Sequence, residues 1–70
     1  MFKKGDKVAS TIHGIEYTVL GVQENGLLHV QHNDVQTKMV GGKMIEYHFD
    51  YTDVDPAILR LIMESPNGVD

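Results

Sequence analysis

Two runs in which apolar and polar residues alternate, Glu16 to Val22 and Leu27 to Gln31, flank the dipeptide Asn25-Gly26. A period of two marks strands, and Asn-Gly between such runs is the strongest short-range hairpin signal, because both residues accept the positive φ of a tight primed turn. A two-residue turn sets Val22 opposite His29, Gly21 opposite Val30 and Val19 opposite His32. Ile15, Tyr17, Val19, Leu28 and Val30 then line one face, the expected core. The other face carries Leu20, Val22, Leu27 and His29 among Glu16, Thr18 and Gln31. That face is too apolar to be wholly solvated, so a covering surface is expected over part of it.

Upstream, Lys4-Gly5-Asp6-Lys7 reads as a turn into a first strand, Val8 to Ile12, and His13-Gly14 returns the chain toward Ile15. The third strand stops at the turn-forming residues His32-Asn33-Asp34. Val35 to Val40, Gly41-Gly42 and Met44 to Phe49 form a second hairpin. A two-residue Gly41-Gly42 turn would place Ile45, Tyr47 and Phe49 on one face with Gln36 and Lys38. A three-residue loop, Gly41-Gly42-Lys43, keeps the apolar alternation by pairing Met39 with Ile45, Thr37 with Tyr47 and Val35 with Phe49, so that register is expected. Asp55-Pro56 supplies an N-cap and a first helical residue, and predicts a helix over residues 56–64. Its Ile58, Leu61 and Ile62 would pack on the sheet, and Leu59 and Met63 would form a second apolar stripe. Residues 65–70 read as a frayed tail.

Seventy residues make one domain, over residues 1–64, near the lower limit for a core that stands on packing alone. The absence of cysteine excludes disulfides, thiolate metal sites and thiol catalysis. The N-terminal residues hold no apolar run of signal-peptide or membrane-spanning length, so a cytoplasmic protein without membrane contact is expected. Ten Asp and Glu against six Lys and Arg give a net charge of −4. A mildly acidic domain gains little from phosphate electrostatics, which argues against nucleic acid.

Gly5-Asp6-x-Val8 opening the first strand, Tyr17-x-Val19, and Asn25-Gly26-x-Leu28-x-Val30 resemble the opening of small bacterial and phage SH3-like barrel proteins, over roughly residues 4–50. The resemblance implies a mainly β fold: a small antiparallel barrel or bent sheet of about five strands, with one short C-terminal helix. The resemblance carries architecture only; the function expected of the chain is that of a non-catalytic protein-binding module, such as a phage or prophage accessory or inhibitor protein acting on a cellular protein. A nucleic-acid-binding KOW-type module shares the shape and is the alternative, using the Lys3, Lys4 and Lys7 end with Lys38 or Lys43 nearby. Such a module would carry a basic loop after the first strand, whereas Ser10-Thr11-Ile12-His13-Gly14 has no Lys or Arg.

Four histidines raise the question of a metal. Convergence of His29, His32 and His48 would make a zinc or nickel site, the second alternative. The spacing points to surface histidines instead: His29 and His32, three apart on a strand, face opposite sides, and no HExxH pattern occurs. Ser10 and Thr11 beside His13 read as turn residues rather than a nucleophile and its base, so no enzyme is expected. Asp50, Asp53 and Asp55 lack the glycine and closing glutamate of a calcium loop, and no cofactor is expected. Tyr51, between Asp50 and Asp53, is the candidate exposed aromatic, and acidic neighbours favour a basic peptide or protein surface. Self-association into a homodimer is expected through Leu20, Val22, Leu59 and Met63, with Leu27 and His29 bordering that face.

Overall fold

The computed structural model describes residues 1–64 and is mainly β; the expected tail at residues 65–70 lies outside the described residues. Among the described residues, seven strands form two antiparallel sheets: β1 (Lys7–Ser10), β2 (Glu16–Val22), β3 (Leu28–His32), β4 (Gln36–Val40), β5 (Lys43–Tyr47), β6 (Asp50–Val54) and β7 (Leu59–Met63). The larger sheet has the order β6-β3-β2-β1-β7, and β4 pairs only with β5. The larger sheet does not close into a barrel, because its edge strands β6 and β7 do not pair with each other. They are joined by a single 3-10 turn, Pro56–Ile58.

The first hairpin forms at the expected place in a different register. Gly26 N–H donates to Gln23 O (2.9 Å) and Gln23 N–H to Leu27 O (2.8 Å), so the loop has three residues, Glu24-Asn25-Gly26. Only Gly26, at φ 85°, takes the left-handed conformation there. Asn25 contributes through its side chain, whose Oδ1 accepts from Leu27 N–H at 3.0 Å. The longer loop pairs Val22 with Leu28 and Gly21 with His29. A bulge at Leu20 then shifts the ladder again, so that Val19 faces Val30 and Tyr17 faces His32. Val19, Leu28 and Val30 enter the core as expected, joined by Val8 and Leu59. Tyr17 packs at the margin of this cluster, and Ile15 is exposed.

The second hairpin overturns the preferred register. Gly41 and Gly42 sit at φ 57° and 79°, the paired positive values of a two-residue primed turn. Val40 therefore faces Lys43, Met39 faces Met44, Lys38 faces Ile45, and Gln36 faces Tyr47. Two consecutive glycines take these positive φ values without strain, and β-turn chemistry outweighs apolar alternation. Alternation has little force here because β4 and β5 pack on no core: they form an arm that touches other elements only marginally. Phe49 lies beyond β5 and the chain re-enters the large sheet as β6, on β3.

The expected helix over residues 56–64 is a 3-10 turn followed by β7. The capping signals are present: Asp55 Oδ1 accepts from Ala57 N–H at 2.9 Å, and Pro56 is the first turn residue. Helical conformation ends after one turn, because Leu59 is extended at φ −118° and ψ 147°. From there the chain pairs with the free edge of β1, with Ser10 facing Leu59 and Val8 facing Leu61. The backbone groups of β1 need that partner, and a short apolar run serves a strand as well as a helix. The expected faces invert as a result. Leu59 enters the core, whereas Ile58, Leu61 and Ile62 stay partly exposed.

Candidate functional site

The β1–β2 loop owes its shape to Ser10, which is buried and whose Oγ accepts from the Ile12 and His13 N–H groups, both at 3.2 Å. Ser10 is thereby a turn-forming residue. Thr11 ties the loop to the 3-10 turn, its N–H donating to Ile58 O at 2.8 Å and its hydroxyl to the same oxygen at 3.1 Å. Between this loop, the 3-10 turn and β6 opens a cleft of about 500 Å³, whose lining includes Ile12, Tyr17, Tyr51, Asp53, Asp55 and Ile58.

Tyr51 stands at this cleft with 45% of its surface exposed. Its ring meets Tyr17 edge-on at 6.1 Å, and Tyr17 in turn meets His32 at 5.5 Å. Burial, aided by the neighbouring Tyr51 phenol, pushes the Tyr17 hydroxyl above its ordinary pKa. Two aromatic rings in contact give a fixed apolar wall with polar tips.

The acidic rim is held in place. A bulge in β6 puts Asp53 at φ 59°, the one non-glycine residue with positive φ among those described. Gln23 clasps it twice: Gln23 Nε2 donates to Asp53 Oδ1 at 2.9 Å, and Asp53 N–H donates to Gln23 Oε1 at 2.7 Å. Asp55 caps the 3-10 turn from the same rim. Asp50 lies beyond the cleft and pairs with His29 Nε2 at 2.7 Å.

The expected self-association patch is not assembled as a surface. Leu59 is 7% exposed within the core, where a second helical stripe had been expected. Met63 is exposed at the far end of β7 beside Lys7. Leu20 and Leu27 are half-buried, and Val22 borders a separate hollow of about 290 Å³ with Met1, Phe2 and Pro56.

The histidines are spread among structural contacts. His48 Nδ1 donates to the His32 carbonyl (2.9 Å), His32 Nδ1 accepts from Asp34 N–H (3.2 Å), and His29 holds Asp50. No group of three histidine, aspartate or glutamate side chains suited to a metal ion occurs among the described residues. At the lysine end, Lys3 Nζ lies 3.4 Å from the buried carboxylate of Asp6, and Lys7 Nζ donates to Thr18 Oγ1 at 2.8 Å. No helix among the described residues is long and apolar enough to cross a membrane.

Tyr17, Ile12 and Ile58 were not singled out as site residues by the sequence. Tyr17 lies 34 positions from Tyr51 in the chain, and only the pairing of β6 with β3 brings them together. No family model, curated protein or solved structure matches the chain.

Proposed function

We propose that the chain is a non-catalytic protein-binding module that takes an apolar segment flanked by lysine or arginine into the cleft at Tyr17 and Tyr51. The observation that carries the reading is an exposed Tyr51, edge-on to Tyr17, beside a rim of Asp53 and Asp55 around one cleft. Aromatic walls give contact area at little entropic cost, and carboxylates select a basic partner.

A test needs no known partner. The probe is an array of twelve-residue synthetic peptides, each with two adjacent apolar residues flanked by lysine or arginine, alongside acidic counterparts. The reading expects binding confined to the basic set. Tyr51→Ala should weaken it by about thirtyfold, the loss typical of truncating an aromatic anchor worth roughly 2 kcal/mol. Equal binding of acidic peptides, or affinity unchanged by Tyr51→Ala, would overturn it.

A further inference from the structure

The β4–β5 arm is the part of the molecule that the fold leaves unexplained. A lone two-stranded hairpin is marginally stable in water, yet this one carries Met39, Val40, Met44 and Ile45 at 64, 50, 63 and 39% exposure. Its base is firmly set. His32 N–H donates to Phe49 O at 2.7 Å, Asn33 N–H donates to Glu16 O at 3.1 Å, and Thr18 Oγ1 donates to Asn33 Oδ1 at 2.6 Å. Beyond that base the arm has at most marginal contact with the larger sheet.

Resting on the reading of the cleft given above, we propose that the cleft's occupant is the arm of a second copy of this chain, in a reciprocal two-fold exchange. Charge is the first argument. From Gln36 to Tyr47 the arm carries Lys38 and Lys43 against Glu46, a net +1 in a chain of net −4, so the remainder carries −5. The tight Gly41-Gly42 turn sets Lys38 beside Ile45 and Val40 beside Lys43 in cross-strand pairs. Val40, Ile45 and both lysines therefore share one face, the apolar-and-basic chemistry that Tyr51, Asp53 and Asp55 select.

Placement is the second argument. The arm's own residues do not line the cleft of their chain, but the base of the arm adjoins it. Tyr51 is the second residue of β6, just past the arm, and His32 at the arm's base touches Tyr17. A five-residue strand reaches about 17 Å. An extended arm set beside the site it fits is the arrangement in which one two-fold axis satisfies both copies, closing the assembly at two.

Sedimentation equilibrium of the full chain decides the matter. Three proteins are compared: the wild type, the arm variant Lys38→Glu/Lys43→Glu, and the cleft variant Tyr51→Ala, all changed at exposed positions. The wild type should be a dimer that weakens with salt, and each variant a monomer with unaltered far-UV circular dichroism. Mixing the two variants should give a heterodimer weaker than the wild-type dimer but stronger than either variant alone, because one intact arm then meets one intact cleft while the second contact stays broken. If the charge-reversed arm alters the spectrum, Lys38→Ala/Lys43→Ala replaces it, with weakened dimerisation expected. A wild type still monomeric at about 1 mM, where a dissociation constant corresponds to only about 4 kcal/mol, would overturn the exchange, as would an arm variant that dimerises like the wild type or a mixture that associates no better than either variant alone. Oligomers beyond the dimer would contradict reciprocal closure. A monomeric wild type that still binds basic peptides through Tyr51 removes the exchange alone; loss of that binding too removes the reading of the cleft.

Discussion

Leu59→Ala is the sharpest probe of how the C-terminal segment folds. In a helix, Leu59 and Met63 are four residues apart and share a face, so truncating either should cost a similar amount. In the structure they part company. Leu59 is 7% exposed and packs with Val8, Val19, Leu28 and Val30, whereas a register shift between Lys7 and Val8 of the paired strand leaves Met63 62% exposed. Removing a buried leucine side chain costs about 2 to 5 kcal/mol, and the position of Leu59 on the outermost strand favours the lower half of that range. A 70-residue domain has about 4 to 10 kcal/mol in total, so the loss is a large fraction of its stability. At roughly 4 to 8 °C per kcal/mol, Leu59→Ala should lower the melting temperature by about 8 to 28 °C. Met63→Ala should stay within about 0.5 kcal/mol of the wild type. Thermal and urea unfolding followed by far-UV circular dichroism measure both. Equal losses for the two variants, or a Leu59→Ala protein as stable as the wild type, would refute the strand assignment.

Three further outcomes follow from single features. Gly26→Val should destabilise the domain by about 1 to 3 kcal/mol through backbone strain alone, since Gly26 is at φ 85° with open space around the added side chain; an unchanged urea midpoint would contradict the turn. Gln23→Ala removes both bonds to Asp53 and should release the cleft rim, read as increased amide exchange at Asp53 and Val54 with little change in the core. The raised pKa of Tyr17 means that the unfolded chain loses this proton at a lower pH than the folded one. Stability is therefore full below about pH 10 and falls as pH rises through the higher folded value. Tyr17→Phe should flatten that fall, and equilibrium unfolding between pH 9 and 11 would show it.

The parts of the fold legible in the sequence were those set by local chemistry. Asn25-Gly26 located a turn, Gly41-Gly42 another, Asp55-Pro56 a cap, and Val19, Leu28 and Val30 a shared core face. What escaped depended on partners distant in the chain. The length of the first loop turned on a hydrogen bond from Gly26 to Gln23, and one added residue moved the ladder. Asp50 to Val54, with two aspartates, gave no apolar pattern to announce β6; the strand exists because β3 offers an edge and a bulge at Asp53 absorbs the misfit. Leu59 to Met63 is apolar except at Arg60, too short and too apolar for periodicity to separate helix from strand, and the unpaired side of β1 decided it. Tyr51 was legible as an exposed aromatic between acids. Its partner Tyr17 was not, because their meeting is a consequence of strand order.

The central claim, that the cleft between the β1–β2 loop, the 3-10 turn and β6 receives a basic apolar segment, is tested most directly by NMR titration of the ¹⁵N-labelled chain with the synthetic basic peptides at a concentration where their binding saturates. The account predicts that amide shifts cluster at Ile12, His13, Tyr17, Tyr51, Thr52 and Ile58, which border one cleft, and that added salt reverses them. Shifts centred instead on Lys3, Lys4 and Lys7, or on Val22 and its neighbours, would contradict it.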